Sequence, residues 1–218
     1  MMTRKHKTRA MTPARKFRIS ASNPVLMSEV KVVKEREGAT SFGTGPCFTL
    51  VFQRRGKVVR ERGPHGVRRK RGKPTSVIWH AMPTYIYYNP RQGPEGSKEV
   101  AKKLKEAGGL RKYETDEFHP KTVTDGILDY LYGRGRGSAR ISVTIIPGRM
   151  TLNSPLFSRS MDEIIKLLHM YKKEGKIHSL RTRGISKGKG SLITHVDQHG
   201  RIYRDSLKPW KRRGEGRA

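Results

Sequence analysis

Apolar residues recur at helical spacing in three places between Ser97 and Gly175, each with its own start and stop signals. In SKEVAKKLKEAGG, Val100, Leu104 and Ala107 fall on one face, Ser97 stands as N-cap and Gly108 marks the stop. In TVTDGILDYLYG, Thr124 is the expected cap, Ile127, Leu128 and Leu131 form the inward face, and Gly133 terminates. The third, SMDEIIKLLHMYKKEG, has the S-x-x-E capping box of Ser160 and Glu163 and a terminating Gly175. Its stripe of Ile164, Ile165, Leu168 and Tyr171 belongs to a core rather than to a binding face. β-Branched and aromatic runs lie between the helices: TYIYYNP, closed by Asn89-Pro90; the weaker LRKYETDEF; and ARISVTIIPG, halted by Pro147-Gly148. In the first of these, Tyr85, Tyr87 and Tyr88 are expected to alternate into and out of a sheet. From Thr84 to Gly175 the order is strand, helix, strand, helix, strand, helix.

Two hairpins flank this segment in the same reading. FTLVFQRRGKVVRE predicts two strands joined at Arg54-Arg55-Gly56, and LITHVDQHGRIYRD predicts two strands turning at Gln198-His199-Gly200. The first runs into Gln53–Pro74, which holds ten Lys/Arg against one Glu, with Gly56, Gly63, Gly66 and Gly72 spread through it. That stretch is expected to be a β-arm continued by a Gly-rich loop with nothing to bury. Residues 1–28, 62–74 and 207–218 lack apolar periodicity and are expected to stay unfolded until a polyanion orders them.

Charge sharpens the picture. The 218 residues carry 48 Lys/Arg against 18 Asp/Glu, a formal charge of +30, which only a dense polyanion compensates over a large area. The excess is segregated: Thr84–Tyr132 has eight basic and eight acidic residues and is neutral. The length suits one domain with extensions or two small domains. Apolar residues make up 33%, low for a folded chain but too many for a disordered one. No apolar run approaches the 18 residues or so of a membrane span, and no long basic amphipathic helix suits a membrane surface, so nucleic acid is the expected partner. One cysteine, Cys47, excludes an internal disulfide framework and a cysteine-based zinc site. Residues 1–28 contain seven Lys/Arg and no acid. That composition resembles a mitochondrial presequence and equally suits a retained basic arm that threads into RNA.

Several short strings invite a chemical reading. GISKGKGS (Gly184–Ser191) is one residue short of a P-loop, and Gly190 stands where Ser or Thr must follow the lysine. GRGRG (Gly133–Gly137) lacks the third glycine of a dinucleotide fingerprint and precedes no helix. Both suit close contact with a phosphate backbone; a solvated turn carrying spare charge is the plainer alternative. His195 and His199 have metal-like spacing but straddle a turn and lack further ligands. Cys47 has no evident His and Asn partners, and no pair of carboxylates converges as nuclease chemistry needs. Trp210, within KPWKRR, suits stacking on an unpaired base or packing on the body. No catalytic residue, metal, cofactor or small-molecule substrate is therefore expected.

The pieces TYIYYNPRQGPEGSKEVAKKL, DYLYG and RSMDEIIKLLHMYKKEGKI, in that order, resemble the thioredoxin-like domain of several mitochondrial ribosomal proteins and of a small accessory subunit of respiratory complex I. The large-subunit ribosomal members are the nearest in character, and Arg134–Ser158 is longer than that pattern has it. The family's domain lacks a redox Cys-x-x-C, as this chain does, and the resemblance implies a structural role in a ribosome without catalysis. The expected fold is α/β: a small thioredoxin-like mixed sheet with three helices, flanked by β-hairpins and basic extended arms. The expected divisions are 1–28, a basic arm or presequence-like segment; 29–83, a β-hairpin region with its basic loop; 84–176, the α/β domain; and 177–218, a strand, a hairpin and a basic tail. The expected function is structural rRNA binding in a ribosome, the mitochondrial one with a cytoplasmic ribosome as the alternative, beside other ribosomal proteins. The alternatives are a nucleic-acid enzyme or a viral or nucleoid DNA-packaging protein. The phosphate-binding candidates in the N-terminal arm are Arg4, Lys5, Lys7, Arg9, Arg15, Lys16 and Arg18. In the basic stretch they are Arg54, Arg55, Lys57, Arg60, Arg62, Arg68, Arg69, Lys70, Arg71 and Lys73. Further along they are Arg134, Arg136, Arg140, Lys187 and Lys189, and in the tail Trp210, Lys211, Arg212 and Arg213.

Overall fold

The structure is a computed structural model that describes residues 23–33, 38–42, 47–56, 58–63, 66–82, 91–133, 140–148, 155–183 and 192–206. It is mixed α/β. Twelve strands are described: β1 (Pro24–Val25), β2 (Val30–Val32), β3 (Ala39–Ser41), β4 (Phe48–Arg54), β5 (Val58–Gly63), β6 (Gly66–Arg71), β7 (Thr75–Ala81), β8 (Gly109–Leu110), β9 (Ile141–Pro147), β10 (Ser179–Thr182), β11 (Leu192–Val196) and β12 (Ile202–Ser206). Four helices accompany them: α1 (Pro94–Glu106), the single-turn α2 (Lys112–Thr115), α3 (Pro120–Tyr132) and α4 (Pro155–Lys173). A six-stranded mixed sheet runs β10-β9-β4-β7-β2-β8, a four-stranded mixed sheet runs β1-β3-β11-β12, and among the described residues β5 and β6 pair only with each other.

Alternation along the central strands builds a layer on each side of the large sheet. Phe48, Leu50 and Phe52 of β4, Val77 and Trp79 of β7, and Ile141, Val143 and Ile145 of β9 face the helices. They bury there against Val100, Leu104, Ile127, Leu131, Ile164, Leu168 and Tyr171. The intervening positions Val51, Ile78 and Ile146 meet Val25, Ala39 and Val196 of the small sheet. Helices α1 and α3 cross so closely that a Cβ at Gly126 would lie 2.5 Å from Val100 and 2.7 Å from the Ser97 carbonyl oxygen.

Several sequence expectations change. β4 does not pair with the strand that follows it: it is central, with β7 on one side and β9 on the other. Its seven residues are too apolar to leave half exposed, so two partners and two covered faces suit it. The middle strands β4 and β7 precede Thr84, so the thioredoxin-like arrangement expected within 84–176 is not reproduced among the described residues. LRKYETDEF forms no strand of its own: Leu110 ends the two-residue β8, Lys112–Thr115 make the turn of helix α2, and Phe118 makes an isolated bridge to Arg91. Ser97 lies inside α1, which starts at Pro94 after Gly93, and its hydroxyl donates to the Pro94 carbonyl (2.9 Å). Thr124 likewise donates to the Pro120 carbonyl (2.8 Å), while His119 caps α3 by accepting from the Lys121 N–H. In both helices a proline at the first helical position marks the start earlier than the Ser/Thr signal. Helix α4 begins five residues before Ser160, at Pro155. TYIYYNP lies outside the described residues.

His80, on the small-sheet side of β7, is buried, and burial lowers its pKa below the ordinary histidine value against the opposing pull of the Val25 carbonyl and the Glu29 carboxylate. Burial also lowers His119 and His195. A histidine held neutral in the fold binds its proton more readily once unfolded. Its contribution is therefore complete above the unfolded pKa of about 6.5 and is lost as pH falls below it. Thermal unfolding of the wild type should drop on going from neutral pH to about pH 5.5, above the range where carboxylates titrate. In His80→Gln the drop should be smaller. A wild-type melting temperature flat over that interval would contradict this assignment.

Candidate nucleic-acid interface

The strand expected within KVVRE forms as β5, whereas the Gly-rich loop expected after it is instead a second strand, β6, and the two pair as an antiparallel ribbon. Its register pairs Val58 with Arg71, Val59 with Lys70, Arg60 with Arg69, Glu61 with Arg68, Arg62 with Val67, and Gly63 with Gly66. Val58, Val59 and Val67 supply the β-propensity that the count of charges obscures, and Gly66, at φ 104°, supplies the left-handed conformation of a tight reversal. Residues directly opposite each other share a face. One face therefore carries Arg60, Arg62, Arg69 and Arg71 with no acid; the other carries Arg68 and Lys70 against Glu61. Arg60 stands directly across from Arg69, a like-charge pair that destabilises a sheet in water. Arg60, Arg62 and Val67 are exposed.

The ribbon springs from one end of the large sheet. Gly56 and Gly72 pass so closely at its root that a Cβ on Gly56 would collide with the Gly72 carbonyl. The Arg55 N–H donates to the Arg140 carbonyl (3.2 Å), which brings the start of β9 to the same place. Arg54 ends β4 on the helix-facing side, with its guanidinium near Gly133, the positive-φ glycine (φ 58°) that stops α3. Arg54, Arg55, Lys73 and Arg140 thus meet at one end of the molecule. Of the other sequence candidates, Arg4, Lys5, Lys7, Arg9, Arg15, Lys16, Arg18, Lys57, Arg134, Arg136, Lys187, Lys189, Trp210, Lys211, Arg212 and Arg213 lie outside the described residues.

Beside the root is a cleft of about 570 Å³ that sequence reasoning missed. Gln53, Arg55, Gly56, Gly72 and Pro74 form one wall, Ser142, Thr144, Ser179, Arg181 and Arg183 its floor and rim, and the β11–β12 turn (His199, Gly200, Arg201, Ile202) the other wall. The turn is pinned in place: Gln53 Nε2 donates to the Gly200 carbonyl (2.6 Å), and Asp197 Oδ1 accepts from the backbone N–H groups of His199 and Arg201 (both 2.8 Å). Gly200 has φ 71°, and a Cβ there would press on Pro74 (2.7 Å) and Gln53 (2.8 Å). The hairpin and its turn therefore match the sequence expectation. The signal for Arg181 and Arg183 was their i, i+2 spacing beside Leu180, which is packed on the helix-side core and so directs its neighbours to the other face.

The motifs with metal or catalytic overtones have other occupations. His195 Nδ1 shares a hydrogen bond with Thr40 Oγ1 (2.8 Å), and His199 lies in the turn. Burial pushes the Cys47 thiol up to about 11, so it is protonated at neutral pH and a poor nucleophile. Asp125, Asp129 and Glu174 share a 510 Å³ cleft on the helical side, where Asp125 accepts from Lys121 (2.7 Å) and from the Tyr171 hydroxyl. Among the described residues no helix is long and apolar enough to cross a membrane. No known protein-family model matches the chain, and no curated protein matches it. The ribosomal resemblance therefore stands on the sequence alone.

Proposed function

We propose that this chain is a structural rRNA-binding protein of a ribosome, the mitochondrial one, whose ribbon and basic sheet end neutralise rRNA phosphates beside neighbouring ribosomal proteins. The observation that carries the reading is the ribbon's face of four arginines, two of them directly opposed, with no acid among them. Such a face opposes its own folding in water and is relieved by a row of phosphates. Each phosphate neutralised also releases condensed counterions, a gain large enough to offset the ordering of an isolated hairpin. Six residue pairs at about 3.3 Å each give a ribbon roughly 20 Å long, enough to span several phosphates of an RNA helix. On A-form RNA the accessible surface is the wide, shallow minor groove with its flanking phosphates. The mitochondrial setting is supported by the composition of residues 1–28 and by the sequence resemblance. No catalytic step is part of this reading.

Excising residues 57–71 and closing Gly56 to Gly72 with a short Asn-Gly turn tests it, because the two glycines already touch and β4 and β7 are antiparallel neighbours. The intact chain should co-sediment with a ribosomal subunit at moderate salt, and the excised one should be released at lower salt while melting at nearly the same temperature. Sedimentation of the intact chain away from ribosomal particles, or preferential retention on duplex DNA, would overturn the ribosomal reading.

A further inference from the structure

We propose that the arginine-lined cleft beside the ribbon root is a distinct phosphate-binding site that seats consecutive phosphate groups of a polynucleotide or the phosphates of a free nucleotide. Its polynucleotide form rests on the nucleic-acid reading above; the phosphate chemistry does not.

The lining combines Arg55, Arg181, Arg183 and Arg201 with the hydroxyls of Ser142, Thr144 and Ser179, and among the described residues it holds no carboxylate. Four guanidiniums around one hollow repel one another, and the composition suits an anion with several oxygens and more than one charge, which forked N–H groups grip in pairs. Asp197, the acid of the adjoining turn, is not part of the lining: its carboxylate accepts from two backbone N–H groups of its own loop and from the Tyr203 hydroxyl (3.2 Å). A volume of about 570 Å³ is that of a site for a ligand of nucleotide size rather than for a lone ion.

On the small-sheet side, register places Ser179 beside Ser142 and Arg181 beside Thr144, and Gln53 next to Ser142 on the other flank. The core between the two sheets is built on Val51, Ile78 and Ile146, toward the middle of β4, β7 and β9. The β9–β10 corner at the ribbon end is polar on this face and, among the described residues, the β11–β12 turn forms its far wall. That turn is locked by Gln53, so the walls are set before any ligand arrives, which lowers the ordering cost of binding. Arg183 also ties strand β10 to strand β12, because its Nη1 donates to the Ile202 carbonyl (3.2 Å). Arg181 and Arg201 are exposed on the rim and are the residues to change.

The test compares wild type with the double variant Arg181→Gln/Arg201→Gln, leaving Arg183 in place and following thermal unfolding. In one arm, a labelled RNA hairpin is titrated over a salt series; in the other, inorganic pyrophosphate is titrated by calorimetry. Loss of two contacts should flatten the slope of log K against log salt by roughly 1.5 and weaken hairpin binding about tenfold at physiological salt. That result assigns the cleft to a polynucleotide. An unchanged hairpin slope with pyrophosphate binding abolished in the variant assigns it to a free nucleotide or diphosphate. If neither arm distinguishes the variant from wild type at equal melting temperature, the cleft is not a phosphate site. Failure of the wild type to bind the hairpin would instead remove the proposed function, and the pyrophosphate arm would still decide the cleft.

Discussion

Replacing Arg60, Arg62, Arg69 and Arg71 with Ala should flatten the salt dependence of RNA binding by roughly three in log K against log salt, with affinity falling by orders of magnitude at low salt. All four lie on one face of β5–β6. The control is Arg68→Ala/Lys70→Ala on the opposite face, where Glu61 offsets part of the charge and fewer phosphate contacts are expected. Melting of the body should hardly move in either variant. The ribbon belongs to neither large sheet, and Arg60→Ala with Arg69→Ala also removes a like-charge pair from opposed positions. Fluorescence titration across a salt series with parallel thermal unfolding measures both. Equal loss from the two faces would mean that RNA wraps the ribbon rather than lying against one side. An unchanged slope with a sharply lowered melting temperature would mean that these arginines serve the fold.

Of this ribbon the first strand was legible in the KVVRE run, while the second was legible only as charge. Period-two alternation marks a strand when one face is apolar, and here both faces are polar, with valines only at the root and near the tip. The same limit hid the cleft, since Arg181, Arg183 and Arg201 meet Arg55 only through sheet pairing. What was legible depended on burial. The stripe of Ile164, Leu168 and Tyr171 is inside, the strand Ile141–Pro147 is where its β-branched run placed it, and the hairpin across Gln198–Gly200 forms. Helix starts were misplaced where a proline outranked a nearby Ser or Thr. Adjacency in sequence does not give the partner of β4, because the 20 residues between Arg54 and Thr75 are an excursion that pairs with itself.

That excursion leads to the second large effect: residues 84–176 expressed alone should not fold. The segment contains all four described helices, but none of its described strands pairs with another strand inside it. β8 pairs with β2, and β9 pairs with β4 and β10, all of which lie outside it. The apolar faces of α1, α3 and α4 bury against Phe48, Leu50, Phe52, Val77 and Trp79, which would also be missing. Truncating a single buried aromatic side chain costs about 3–5 kcal/mol, and whole domains are stable by only about 5–15 kcal/mol. Losing three aromatics and two aliphatics together exceeds that margin. The fragment should show weak, non-cooperative melting, poor amide dispersion in NMR and dye-binding apolar surface, whereas residues 23–206 should melt cooperatively. Supplying residues 23–82 in trans should restore dispersion to the fragment, because β4 and β7 would again fill the middle of the sheet. A cooperatively folded 84–176 would show that its helices can form a core without those strands, and would restore the self-contained domain that periodicity alone suggests.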